Sequence, residues 1–303
     1  MLQIHAEPEL RSLTSLHLGG KALACVTIHS IEDLDSLPET LKKLGGRPVM
    51  LGGGTNILAA DGLLPLVLVR CAFESAPQVM GEDGNGNLLV RVSANMKLSR
   101  LLGWCFQTGL GGLEGMVGIP GTVGGAVAGN AGAQGTDIGS HVGRVNVFSP
   151  GMGYKKMIWC DMQFGYRSLK IPECAGAFQV FTGVVLSLQP TSRSSIQQKT
   201  RECMAHKRAA QPLRVWSAGC VFKNPVSPDA KNESLSAGKL LDTAGFRGKR
   251  LGGMCFSPLH ANFLVNEGSG SSGAAFDLIH EAQEAVHRLH GVALQPEVKI
   301  WEC

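Results

Sequence analysis

The sequence predicts an α+β fold, and three observations carry that expectation. Apolar runs of strand length recur through the first two thirds of the chain with only occasional helical periodicity, not as a regular alternation of strand and helix. A glycine-dense stretch, GGLEGMVGIPGTVGGAVAGNAGAQG, runs from Gly111 to Gly135 among them. After Gln189-Pro190-Thr191-Ser192 the strand pattern stops and helical spacing takes over, which marks a boundary.

In chain order, Cys25-Val26-Thr27-Ile28 reads as a short strand. Ser30 and Ser36 are candidate caps for the turns that follow, and Pro38, Leu41 and Leu44 suit a helix ending at Gly45. Pro48-Val49-Met50-Leu51 is a buried strand running into Gly52-Gly53-Gly54-Thr55-Asn56. Strand, glycine turn, then hydroxyl and amide can present a nest of N–H groups to phosphate. A plain tight turn also accounts for those glycines. Residues 63–70 and 88–92 are further strands. Leu98, Leu101, Leu102 and Cys105 repeat at i, i+3, i+4, i+7, an amphipathic helix stopping at Gly109. Residues 142–148, 155–159 and 178–188 are strand-like. The last third holds helices over about 194–210, 236–244 and 272–290; Phe276, Ile279, Gln283, Val286 and Leu289 lie on or near one face of the third, which Gly291 stops. That region reads as a helix-rich α/β domain.

The glycine-dense stretch carries one charge, Glu114, and too little side chain to build a core alone. Met116, Val117, Ile119, Val123 and Val127 nonetheless favour burial, so it is not a flexible linker. Glycine serves where another backbone or a ligand comes close. Two readings stay open at this level: a large ligand against bare main chain, or tight turns between short strands.

Composition bounds the function. Lys and Arg number 28 against 24 Asp and Glu, and the basic residues are scattered without interleaved aromatics. That disfavours nucleic acid and suits a polyanionic small ligand. The nine cysteines, 25, 71, 105, 160, 174, 203, 220, 255 and 303, never form CxxC, and MLQIHAEPELR has no signal-peptide pattern. They read as reduced thiols of a cytoplasmic protein. The most apolar window, 49–69, is broken by glycines, Asn56 and Asp61, so no membrane span is expected. No GxGxxG follows a strand and opens a helix, which disfavours a Rossmann site, and no histidine spacing suggests a metal.

Seven motifs in one order are more specific: LGGGTNIL (51–58), GLEGMVGIPGTVGGAVAGNAGAQG (112–135), FGYRS (164–168), QPL…SAGCVFKNP (211–225), AGKLLDTAGFRGKRLGG (237–253), HANFLVN (260–266) and PEVKIWE (296–302). From about Ser12 to Glu302 the chain closely resembles the UDP-N-acetylenolpyruvoylglucosamine reductases, flavoenzymes of peptidoglycan precursor synthesis and so of cell-wall growth, shape and division. The resemblance implies a two-lobed FAD-binding domain of the vanillyl-alcohol-oxidase (PCMH) type over 1–190, with lobes about 1–70 and 71–190. A C-terminal α/β substrate-binding domain over 191–303 follows. The chain's compactness after Tyr166 resembles the family's shorter second type.

The resemblance also assigns roles. The phosphate-binding loop corresponds to Gly52, Gly53, Gly54, Thr55 and Asn56. The isoalloxazine and pyrophosphate of FAD would lie along Gly118, Ile119, Pro120, Gly121, Thr122, Gly124, Gly125 and Asn130. NADPH is the implied reductant and a UDP-sugar bearing an enolpyruvyl group the implied acceptor, with a monomer as the working expectation. Arg167 sits at the family position of a guanidinium that stabilises the developing enolate. Cys220 stands where the family usually has serine as proton donor; a thiol, with an unperturbed pKa of about 8.5, is mostly protonated at neutral pH and is a stronger acid than an alcohol. Glu297 aligns with a carboxylate that assists polarisation or protonation. Tyr166, Lys223 and Asn224 match positions near the substrate. His260 and Asn262 are candidate substrate contacts or part of a buried structural cluster.

The chain departs from the family pattern at three places. Leu13 replaces the usual asparagine before Thr14-Ser15, Ser168 is adjacent to Arg167 instead of two residues on, and Trp216-Ser217 stands where a proline commonly precedes SAG. Two other functions remain to be distinguished. One is a flavin oxidoreductase of the same fold acting on an alcohol or hydroxy acid; the other is a nucleotide-binding module without turnover.

Overall fold

A computed structural model describes residues 1–226 and 235–302. The chain divides into two compact units: Met1–Ala6, Leu23–Gly53 and Leu66–Lys207 form the first, and Glu7–Ala22, Gly54–Pro65 and Arg208–Cys303 the second.

The first unit holds two larger sheets and two short two-stranded ones. The smaller of the larger two is four-stranded, in the order Gln3–Ala6, Lys21–Ile28, Leu63–Cys71, Arg47–Met50. Its last two strands run parallel, Val49 opposite Leu68, a pairing that requires a crossover. Helix α1, Leu37–Leu44, lies before Arg47–Met50 and ends at Gly45. Ser36 occupies its N-cap position without a side-chain cap; its hydroxyl instead donates to the Asp33 carbonyl at 3.0 Å. Val26, Ile28, Leu34, Leu37, Val67 and Val69 form the core here, with Phe148 and Val180 reaching in from the other sheet.

The larger sheet runs Gly153–Ile158, Val142–Ser149, Val180–Pro190, Leu88–Ser93, Gln78–Glu82, all antiparallel. Helix α2, Leu98–Thr108, buries Leu98, Leu101 and Cys105, three of the four periodic residues, and closes on Gly109 at φ +72. That positive φ is the left-handed helix stop that glycine tolerates best. Between α2 and the 142–149 strand lies the glycine-dense stretch, which contains helix α3, Val123–Ala128. Helix α4, Arg193–Ala210, begins after the 180–190 strand, and most of its length belongs to the first unit.

In the second unit a four-stranded antiparallel sheet runs Trp216–Cys220, Phe263–Asn266, Met254–Phe256, Arg250–Leu251. Helices α5, Ala237–Thr243, and α6, Ser272–His290, pack with it. The buried face of α6 is Ala275, Leu278, Ile279, Ala282 and Val286, while Leu289 is exposed. The apolar stripe is therefore rotated from the one expected, because the alanines at 274, 275, 282 and 285 allow close packing. Ile57–Ala59 pairs in parallel with Lys299–Trp301, which fixes the chain's last strand in this unit.

The described cysteines are free thiols, most of them buried. Burial pushes the Cys71 and Cys105 thiols up to about 12, which keeps both protonated at neutral pH. Cys303 lies outside the described residues. Among the described residues no helix is long and apolar enough to cross a membrane, and no group of three or more His, Cys, Asp or Glu is placed to hold a metal.

Candidate active site

In the first unit the two glycine segments meet. A Cβ on Gly52 would lie 2.9 Å from the Thr122 hydroxyl, so the strand-end turn and the long stretch touch through bare main chain. Thr122 caps α3, accepting the Gly125 N–H at 3.2 Å. Gly118, Pro120 and Gly125 are exposed, and Gly121 and Ile119 partly so. Gly118 has φ +81, and its nearest neighbours are the flexible ends of Met204 and Lys207 at 3.4 and 3.5 Å, so here the missing side chain leaves an open backbone.

Gly124 differs. It is buried, its N–H donates to Ala94 at 2.7 Å, and a Cβ would sit 2.9 Å from that of Ala94. This glycine makes room for protein. Gly115 does the same, since a Cβ there would meet the Ala133 carbonyl at 2.7 Å. Asn130, also expected near the cofactor, is 7% exposed and joins Gly139 to Gly165 through its amide.

Arg167 lies in a two-residue turn between the paired strands Gln163–Gly165 and Ser168–Lys170. Its Nη1 donates to the Gly132 carbonyl at 2.8 Å, which draws the guanidinium to the end of the glycine stretch. The exposed Tyr166 ring stands 5.4 Å from the Arg167 guanidinium carbon.

Two further groups shape this region, and neither was assigned a role from the residue patterns. The Lys207 ammonium is buried and donates to Val117 at 2.6 Å, immediately before Gly118. Burial lowers its affinity for a proton, with a smaller contribution in the same direction from Arg167. Glu114, also buried, accepts the Gly112 N–H at 3.1 and 3.2 Å and lies 3.8 Å from the Lys199 ammonium. As the stretch's single charge, Glu114 was a visible signal; Lys207 sits in a helix rich in polar residues and offered none.

The second unit holds Gly54, Thr55, Asn56, Cys220, Lys223, Asn224, His260, Asn262 and Glu297. Cys220 ends a strand with a bulge: Ser217 opposes Val265 and Cys220 opposes Phe263, with Gly219 at φ +85 between them. The Glu297 N–H donates to Val221 at 2.7 Å, so Glu297 and Cys220 are fixed on either side of one residue. The Asn56 amide donates to the Glu297 carbonyl at 3.3 Å and the Asn56 carbonyl accepts from Lys299 at 3.0 Å. Ser15 donates from its hydroxyl to Ser217 at 2.7 Å and from its N–H to Gly54 at 3.0 Å. A continuous hydrogen-bonded framework thus joins the second half of the glycine turn to the segments bearing Cys220 and Glu297.

Asn262, 2% exposed, has both ends of its amide on the Phe222 backbone, at 3.0 and 2.8 Å, and so stiffens the strand after Cys220. His260 accepts the Asn262 N–H on Nδ1 at 3.2 Å and stacks edgewise on Phe263. Burial, and next Arg247, hold its pKa below the ordinary imidazole value. Asn224 accepts the Ala237 N–H at the start of α5, and Lys223 pairs through its N–H with Gln295.

The donor set fits a flavin dinucleotide. A Cβ would cover the bare main chain at Gly52, Gly118 and Gly125; Gly52 and Gly125 stand beside the Thr122 hydroxyl and Gly118 beside the Lys207 side chain.

Comparison with known proteins agrees. Residues 22–151 match the FAD binding domain family, and 211–301 match the UDP-N-acetylenolpyruvoylglucosamine reductase C-terminal domain. The chain is 48% identical over 300 residues to the UDP-N-acetylenolpyruvoylglucosamine reductase of Nitratidesulfovibrio vulgaris, covering 99% of both chains. It is 32% identical to the Thermotoga maritima protein of the same name, covering 95% of each. The crystal structure of the Thermus caldophilus reductase (MurB) superposes over 100% of both chains with a TM-score of 0.81 at 30% identity. The fold is accordingly α+β, a FAD-binding domain followed by a C-terminal reductase domain, and the chain belongs to the UDP-N-acetylenolpyruvoylglucosamine reductase family.

Proposed function

We propose that this protein is a cytoplasmic, NADPH- and FAD-dependent oxidoreductase that reduces the enolpyruvyl group of UDP-N-acetylglucosamine enolpyruvate to give UDP-N-acetylmuramate. What supports the chemistry most directly is the framework that fixes Glu297 and Cys220 on either side of Val221. The backbone hydrogen bond from Glu297 to Val221 brings a carboxylate and a thiol from segments far apart in sequence to one place. Cofactor binding is assigned to the region 1–190 and the sugar nucleotide to 191–303.

FAD, when bound, supplies the hydride relay from NADPH to the enolpyruvyl double bond. Gly52, Gly53, Gly54, Thr55, Gly118, Ile119, Pro120, Gly121, Thr122 and Gly125 present the main chain that holds it, and Gly124 shapes the loop from behind. Hydride addition to the double bond leaves negative charge delocalised onto the substrate carboxylate, and the Arg167 guanidinium stabilises it with fixed, directed N–H groups. The Cys220 thiol delivers a proton to the adjacent carbon, and Glu297 assists that transfer. Tyr166, Lys223, Asn224 and His260 contact the sugar nucleotide, with Asn262 holding the strand behind Cys220.

The test is anaerobic. The purified protein is reduced with NADPH, its flavin absorbance near about 450 nm is followed, and the enolpyruvyl substrate is then added. Bleaching followed by rapid recovery is expected. Bleaching without recovery would leave the reductase half standing with another acceptor. Binding without NADPH consumption would make it a nucleotide-binding module.

A further inference from the structure

We propose that Asn130 is a positioning residue for Arg167 and not a ligand of the cofactor. The proposal rests on the reading above, in which Arg167 stabilises the charge that develops on substrate. Asn130 follows α3 with a left-handed backbone, φ +40, a conformation that asparagine tolerates better than most residues. Its Oδ1 accepts the Gly139 N–H at 3.0 Å and its Nδ2 donates to the Gly165 carbonyl at 2.9 Å. Both ends of the amide are engaged with main chain and the residue is 7% exposed.

Gly165 is the last residue before the two-residue turn Tyr166-Arg167, so Asn130 holds the base of the turn from which the guanidinium projects. Two residues after Asn130, the Gly132 carbonyl accepts from Arg167 Nη1 at 2.8 Å. One short segment therefore fixes the arginine at both ends, its backbone through Asn130 and its head group through Gly132. Packing leaves no slack: a Cβ on Gly139 would lie 2.7 Å from Asn130 Oδ1 and 2.5 Å from the Phe164 ring. Arg167 itself has φ +53, a conformation that persists only where the surroundings impose it. A long, flexible side chain can stabilise a transition state only if its root is fixed, since a displacement of about 1 Å can cost on the order of 100-fold in rate.

The decisive variant is Asn130→Asp. It keeps the oxygen that accepts from Gly139 and the tolerance for a left-handed backbone, and sets an acidic oxygen against the Gly165 carbonyl in place of the donor. Wild type, Asn130→Asp, Arg167→Ala and the double variant are compared for melting temperature, FAD dissociation constant, flavin reduction by NADPH and flavin reoxidation by saturating substrate. Asn130→Asp should slow reoxidation by roughly 10- to 100-fold while FAD affinity, reduction and substrate half-saturation stay near wild type. In the Arg167→Ala background it should add nothing, the signature of two residues acting as one unit.

Weaker FAD binding with unchanged reoxidation would overturn the proposal, as would slowing that multiplies in the double variant. If Arg167→Ala alone reoxidised at the wild-type rate, the assigned role of Arg167 would fall, and the positioning role with it. Should Asn130→Asp not fold, Asn130→Gly tests the same prediction with both amide bonds removed, because glycine accepts the left-handed backbone.

Discussion

The two glycine segments look alike as sequence and are built differently. In the turn from Gly52 to Asn56, each missing side chain answers a different neighbour. Gly52 approaches Thr122, whereas a Cβ on Gly54, at φ +66, would come within 1.9 Å of the Leu13 carbonyl. The turn's second half is bound through Ser15 and Asn56 to the segments bearing Cys220 and Glu297. The long stretch from Gly111 to Gly135 alternates instead between glycines that admit protein, such as Gly115 and Gly124, and glycines open to the surface, such as Gly118 and Gly125. Glycine density by itself therefore does not mark a ligand site. What fills the space that a side chain would take decides each position.

That contrast can be broken by substitution. Gly54→Ala combines a left-handed backbone with a collision against main chain, and should cost about 4 kcal/mol or more, read as loss of the folded protein in a denaturant titration. An alanine at 54 that melted near wild type would remove the distinction. Gly124→Ala overpacks against Ala94 and should destabilise by roughly 1–3 kcal/mol, with FAD affinity falling only as stability falls. Gly125→Ala should do the reverse. On the exposed side of α3 it gains roughly 0.5–1 kcal/mol of helix stability, yet weakens FAD binding about tenfold, measured by flavin fluorescence titration. Equal FAD affinity in these last two variants would show that the surface glycines are not the ligand face.

The second segment's framework is sharpened by Ser15→Ala and by Cys220. Ser15→Ala removes the bond to Ser217 and should cost about 1 kcal/mol, with slower flavin reoxidation and unchanged reduction by NADPH. Cys220→Ser should preserve turnover, whereas Cys220→Ala should slow reoxidation alone; an alanine variant that reoxidised normally would end the proton-donor assignment. The smallest effect is on pH dependence. His260 is held below its ordinary pKa, so the unfolded chain binds its proton first as pH falls. Stability from this group is complete above about pH 6.5 and declines below it, by at most about 1.4 kcal/mol per pH unit. Melting temperatures from pH 8 to pH 5 should fall less steeply in His260→Gln.

Local patterns marked out much of this molecule. The periodicity of α2 and its stop at Gly109, the limits of α6, and the strand leading into Gly52 were all readable, because each follows from neighbours within a few residues. The face of α6 was not, since alanines pack or stay exposed according to what lies opposite. Ser36 looked like a cap, yet the preceding turn took its hydroxyl. Around the site, motif order marked the segments of Arg167, Cys220 and Glu297. Lys207 and Ser15 emerged as supporting groups only once the chain was folded, because each acts on main chain far away in sequence.

The sequence by itself determined the family and its FAD chemistry, since these reside in residue types at fixed local spacing. Only the tertiary structure decided which glycines face protein and which face outward. It also decided that residues 7–22 and 54–65 belong with 208–303, and that Asn130 and Asn56 hold the segments bearing Arg167 and Glu297. The physical reason is common to all three. Close approach of backbones and hydrogen bonds between distant segments depend on where the chain returns to itself, and no local pattern of residues records that.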